Sequence, residues 1–177
     1  MALDYYLIID GVNGGATAKG LEGAFLLQDF DYDLSNAVTA GTTGGASQGG
    51  KAQDTGLTAT LDLPTSVTDL AEIAATGRHI DAIRVVGIRD GAPGRDDPAF
   101  DMTMGIAVIN EIRHRSDGPD MITFDGEAVR VVTRGQDERG RPLSPREFEW
   151  SFAENRPSGP SGDAPQPGGP AAGAIEG

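Results

Sequence analysis

The chain has 177 residues, no cysteine, and 27 acidic against 14 basic side chains, for a formal net charge of −13. The missing thiols exclude disulfides, thiolate nucleophiles, thiolate-bound zinc and iron–sulfur clusters. The acidic balance disfavours phosphate backbones and anionic membranes, so neither a nucleic-acid partner nor membrane insertion is expected.

The length suits one domain. No run of 18 apolar residues is present, and the opening MALDYYLIIDGVNGG has no basic region and carries Asp4 and Asp10 around its apolar run. Neither a spanning helix nor a secretory signal is expected. In that opening, Leu3, Tyr5, Leu7 and Ile9 alternate with Asp4, Tyr6, Ile8 and Asp10, which predicts a strand ended by the turn signal DGVNGG. A second strand, AFLLQDFDYDLSN, sets Phe30, Tyr32 and Leu34 on one face and Asp29, Asp31 and Asp33 on the other. The glycine-rich stretch 37–54 follows and reads as a long connection, functional or mobile. GLTATLDL is a third strand, which Pro64 stops.

One helix is predicted, over about 66–76. Ser66 or Thr65 caps it, and Ser66 with Asp69 resembles a capping box. Val67, Leu70, Ile73 and Ala74 form its apolar stripe, and Gly77 falls where a left-handed C-cap belongs. Strands follow over 80–89, over 99–113 with Met102, Met104, Ile106 and Val108 alternating, and over 121–133. A last one, REFEWSF, sets Phe148, Trp150 and Phe152 on one face. Seven or eight strands and one helix, without βαβ alternation, predict a mainly β fold: a compact antiparallel barrel or two-sheet sandwich with one flanking helix. The segment 156–177 is half proline and glycine, with no aromatic residue, and reads as a disordered tail after a domain of residues 1–155.

Signals for chemistry are weak. GASQGGK, 45–51, matches part of a phosphate loop, but Ala52 stands where the magnesium-binding hydroxyl belongs and no helix follows. His79 and His114 are the only histidines, too few for a three-ligand zinc site, and no serine sits in a nucleophile elbow. His79 reads as a structural residue at a helix-to-strand joint, its ring bonded to backbone. Asp90, Asp96, Asp97 and Asp101 offer oxygen for calcium without the spacing of an EF-hand. The Asp29/Asp31/Asp33 row is the candidate for paired-carboxylate chemistry, though such a row is more often the wet face of a strand. No catalytic, cofactor or metal residue is assigned.

The order of LDYYLIIDGVNG, the core FDY, the loop ending GGKAQD, the helix closing in AATGRHI and the C-terminal FDGEAVRVVTRGQDERGRPLSPREFEWSFAEN resembles the hemolysin-coregulated protein (Hcp) family over residues 2–155. This family forms the tube of type VI secretion systems. The resemblance implies a two-sheet β-barrel with one helix on its flank, a homohexameric ring and stacked rings. It implies spike, baseplate and contractile-sheath partners, small effector cargo and no enzymatic role. It also implies assembly in the bacterial cytoplasm and export without a signal peptide. By position it puts Asp29, Asp31 and Asp33 on the lumen-facing strand. It makes Gly44, Gly45, Ser47, Gly49 and Lys51 part of the ring and stacking loop, and Gly77, Arg78 and His79 a structural joint. The alternatives are a carbohydrate-active or calcium-binding β-sandwich, and a stand-alone ligand-binding barrel.

Overall fold

Among the described residues, seven strands and one helix follow one another as β1 (Leu3–Ile9), β2 (Phe25–Asn36), β3 (Ala52–Leu61), α1 (Val67–Thr76), β4 (Ile80–Arg89), β5 (Phe100–Arg113), β6 (Asp120–Thr133) and β7 (Arg146–Ser151). The computed structural model describes residues 3–36, 51–63, 66–89 and 98–167. All strand pairs are antiparallel, in the order β3-β2-β1-β4-β5-β6-β7, and β3 also pairs β6. That extra pairing, Leu57 opposite Phe124 through Leu61 opposite Asp120, closes β1–β6 into a six-stranded barrel. Closure removes the sheet edges that would otherwise template aggregation. β7 is appended outside the closed circuit, on the second half of β6.

The alternation read from the sequence fills the barrel. Leu7, Ile9, Phe25, Leu57, Leu61, Ile83, Val85, Met102, Met104, Ile122, Phe124 and Val129 form the core, with Leu70 and Ile73 of α1 closing it. Tyr5, Phe30 and Phe100 meet at its margin, with ring centroids 4.9–6.0 Å apart. The other face of β1 is covered too. Ile8 joins Leu21, Ala24 and Val86 in a small second cluster beneath residues 10–24.

Several local expectations are corrected. β3 starts at Ala52, which pairs Asn36, so the β2–β3 hairpin reaches into the stretch read as a loop over 37–54. A bulge between Leu27 and Asp29 shifts the inward positions of β2, so that Phe30 and Tyr32 face the core as the alternation from residue 29 predicts. In β5 the residue Ile106 adopts φ 51, so Ala107 and Ile109 take the inward positions and Ile106 is exposed. Leu34, at the far end of the hairpin, and Phe148, on β7, are both exposed because they lie beyond the closed barrel. The capping box does not form. Ser66 is buried and its hydroxyl donates to the Asn13 carbonyl, tying the helix start to the 10–24 loop instead.

Residues 156–167 have contacts that their composition does not predict. On the outer face of the sheet, directly paired residues make two rows across five strands. One row is Ile8, Arg84, Thr103, Arg130 and Glu149; the other is Tyr6, Val86, Asp101, Val132 and Glu147. The chain after Arg156 crosses this face as a strap. A Cβ built on Gly105 would lie 2.7 Å from Cβ of Pro160, and one built on Gly159 would lie 2.6 Å from Glu149 Oε1. Pro165 is buried, and Gln166 and Pro167 line one hollow with Ile8, Arg84 and Val86.

Candidate functional site

β2 places Asp29, Asp31 and Asp33 on the outside of the barrel, all exposed, while Phe30 and Tyr32 between them are half-buried. Alternate residues on a strand are about 6.5–7 Å apart, so the three carboxylates span about 13–14 Å. Their cross-strand partners on β3 are Thr60, Thr58 and Gly56, none of them a cation. One strand further, Thr123 of β6 sits opposite Thr58, with their hydroxyl oxygens 3.3 Å apart. Asp125 continues this wall and accepts a hydrogen bond from the Asn110 side-chain amide. At Gly56, φ is 102 and a Cβ would come 2.9 Å from Asp125 Oδ1, so glycine is what lets this acidic wall close up.

The opposite wall is ion-paired, with Arg84 and Arg130 set among Asp101, Glu147 and Glu149. Arg84 holds Asp101 through two parallel bonds, Nε to Oδ1 at 2.9 Å and Nη2 to Oδ2 at 2.8 Å, with both side chains about five-sixths buried. Asp101 is therefore committed to an arginine rather than open to calcium. Asp90, Asp96 and Asp97 lie outside the described residues. Arg130 bridges Glu147 and Glu149. The bond to Glu147 raises the Arg130 guanidinium above its ordinary value and holds the Glu147 carboxyl below its own.

His114 and His79 have different surroundings. His114 Nδ1 lies 2.7 Å from Oδ1 of the buried Asp120. The described hydrogen bonds join its ring to nothing else. His79 is exposed, and the ring-to-backbone bond expected of it is not present among the described residues. The joint is made by backbone instead: Gly77, at φ 65 and ψ 23, donates to the Ala74 carbonyl, and Arg78 N–H donates to the Ile73 carbonyl. This is the Schellman pattern, and it requires glycine rather than histidine. Of the proposed ring and stacking loop, Gly44, Gly45, Ser47 and Gly49 lie outside the described residues, and Lys51 is exposed beside the start of β3.

A cleft of about 360 Å³ opens where the β2–β3 hairpin and β7 diverge, lined by Leu34, Ser35, Asn36, Ala52, Phe148, Trp150 and Asn155. Sequence reading missed it, because it depends on β3 leaving β6 where β7 joins. Among the described residues no group of three His, Asp or Glu side chains is arranged to hold a metal ion. No helix among them is long and apolar enough to cross a membrane.

A closed antiparallel barrel whose distinguishing chemistry lies on its outer walls defines this protein as a β-barrel building block with two contrasting faces, one a row of carboxylates and one laced with arginine–carboxylate pairs. The family model described as "Type VI secretion system effector, Hcp" matches residues 6–138. The chain belongs to the Hcp family and is a type VI secretion tube protein. Its fold is that of solved Hcp structures. A type six secretion system protein is 20% identical with a TM-score of 0.76, covering 88% of this chain and 99% of that one. Hcp1 from Salmonella typhimurium is 15% identical with a TM-score of 0.68, covering 88% and 99%. The secreted protein Hcp3 from Pseudomonas aeruginosa is 13% identical with a TM-score of 0.55, covering 84% and 99%. A search of curated proteins gives no match.

Proposed function

We propose that this chain forms a homohexameric ring with β2 toward the lumen, and that rings stack into the tube a contractile sheath ejects. The observation that carries the lumen assignment is the uninterrupted outward row Asp29, Asp31 and Asp33, all three exposed on one face of β2. Neighbouring carboxylates about 7 Å apart repel by roughly 0.6 kcal/mol per pair in water. An exposed row of like charges disfavours close packing against another acidic copy, but suits a solvated channel. Multiplied around a ring, it makes an acidic lumen that selects small effectors with basic surfaces.

The stretch 37–54 bridges subunits and stacked rings, and the spike and baseplate dock at the tube end. The subunit performs no catalysis. It assembles in the bacterial cytoplasm and leaves by sheath contraction.

Light scattering tests the reading. A subunit of 18.3 kDa predicts a ring of about 110 kDa. A strict monomer under all protein and salt concentrations would overturn it.

A further inference from the structure

The turn signal DGVNGG holds an asparagine–glycine step, and the fold demands both residues. Of Asn13, Asn36, Asn110 and Asn155, only Asn13 is followed by glycine. Asparagine is chemically labile, because the backbone nitrogen that follows it can attack its side-chain amide, and a glycine nitrogen is the least hindered attacker. Position 14 has to be glycine, since a Cβ there would lie 2.4 Å from the Phe25 ring. Position 13 is occupied by a residue whose side chain closes the turn: Asn13 is exposed, and its Oδ1 accepts the Gly15 N–H at 2.9 Å.

The peptide unit that joins the two residues is pinned at both of its polar atoms. The Asn13 carbonyl accepts the hydroxyl of buried Ser66, and the Gly14 N–H donates to the Gly23 carbonyl at 2.8 Å. A peptide unit is planar, so its carbonyl and its N–H turn together or not at all. Attack on the side-chain carbon Cγ of Asn13 requires the Gly14 nitrogen to lose its proton and to turn its face toward that carbon. Both bonds oppose this. The side chain is treated in the opposite way, because the Gly15 N–H on Oδ1 draws electron density from Cγ. The electrophile is primed while the nucleophile is withheld.

We propose that Asn13 is a deamidation site that the 10–24 loop holds closed, modified only in chains whose loop has opened. In an opened chain the Gly14 nitrogen bonds to Cγ of Asn13 and the Cγ–Nδ2 bond breaks. The side-chain nitrogen leaves as ammonia, taking the proton that Gly14 gives up. Water then opens the five-membered ring at either carbonyl, leaving an aspartate or an isoaspartate at position 13. The isoaspartate runs the main chain through Cβ and Cγ, one atom longer than before. Gly14 has no room for that displacement, with the Phe25 ring and the Ala24 backbone against it. The Ser66 hydroxyl also loses the main-chain carbonyl it held. A closed loop thus preserves the chain, and an opened one is marked permanently.

Peptide mapping by mass spectrometry tests this on the full chain, kept in mildly alkaline buffer with and without guanidinium chloride. Asn13 should deamidate slower in the folded chain than in the unfolded one by about tenfold or more, the factor set by loop opening. Equal or faster loss in the folded chain overturns the proposal and makes the Gly15 contact an activator. Ser66→Ala frees one end of the peptide unit and should raise the folded rate about threefold or more, with the unfolded rate unchanged. No rise overturns the pinning. If Ser66→Ala lacks a thermal transition, amide exchange at Gly14 in the unmodified chain decides instead. The slowing of deamidation on folding should then match the slowing of exchange within about threefold. Deamidation that outpaces the opening overturns the proposal. The isolated isoaspartate form should melt below the unmodified chain; an equal melting temperature shows that the loop recloses and overturns the permanent mark.

Discussion

Asp120 and His114 form a clasp at the turn between β5 and β6, with His114 Nδ1 donating to Asp120 Oδ1 over 2.7 Å. Asp120 also accepts the Leu63 N–H at 2.8 Å and the Arg115 N–H at 3.0 Å, so one carboxylate joins the end of β3 to the β5–β6 hairpin. Burial alone would raise this carboxyl. The Arg115 and Leu63 N–H groups and the His114 ring outweigh it and hold it below its ordinary value of 3.8.

A group with a depressed folded pKa stabilises the fold above its unfolded pKa and loses that effect as pH falls through the folded value. Melting temperature should therefore drop as pH is lowered from about 5 to below 3. Asp120→Asn should cost about 2 kcal/mol at pH 7, since a neutral amide cannot serve three donors. It should also flatten the acid part of the profile. Parallel pH–melting curves of the two proteins check this; identical slopes below pH 5 would rule Asp120 out as the acid-sensitive group.

Gly14 fixes the 10–24 loop against the barrel. A Cβ there would lie 2.4 Å from the Phe25 ring and 2.6 Å from the Ala24 backbone, which cannot move aside. Gly14→Ala should destabilise by about 1–3 kcal/mol through overpacking, measured by urea unfolding.

Gly77 and His79 separate backbone from side-chain roles at the helix joint. Gly77→Ala places a side chain at φ 65 and should cost about 1 kcal/mol. His79→Ala, at an exposed site, should stay within about 0.5 kcal/mol of the parent in thermal unfolding. The opposite ranking would show the histidine to be the fastening group.

Arg84 and Asp101 should behave as a unit. Arg84→Met alone strands a mostly buried carboxylate and should cost about 2–3 kcal/mol, whereas Arg84→Met with Asp101→Leu should recover at least half of that. A double-mutant cycle in denaturant gives the coupling, and simple additivity would contradict the bidentate pair.

The acidic row predicts a charge effect without a fold effect. Asp29→Asn, Asp31→Asn and Asp33→Asn together should leave the melting temperature equal or slightly raised, because like charges are removed from an exposed face. Retention of a basic effector by the assembled protein should fall. Unchanged retention would remove β2 from the lumen.

Much of this was legible because it depends on local pattern. Period-two alternation places Leu7, Ile9, Phe30, Met102 and Met104 inward, and the sequence AATGRHI gives the helix stop at Gly77. What stayed hidden depends on partners distant in sequence. The Ser66 hydroxyl reaches Asn13, 53 residues away, in preference to its own helix. The start of β3 at Ala52 is set by pairing with Asn36, against a composition that favours loop. Ile106 adopts a left-handed φ that its β-branched side chain disfavours. The seat of Pro160 exists only because Gly105 has no Cβ and β4, β5 and β6 bring it to the surface.

The central claim is that this barrel is a tube subunit, and electron microscopy of the purified full-length protein tests it most directly. The account predicts sixfold rings with a stain-filled lumen, some of them stacked, whose abundance rises with protein concentration. Featureless particles of single-barrel size at every concentration, in protein shown to be folded by its thermal transition, would contradict it.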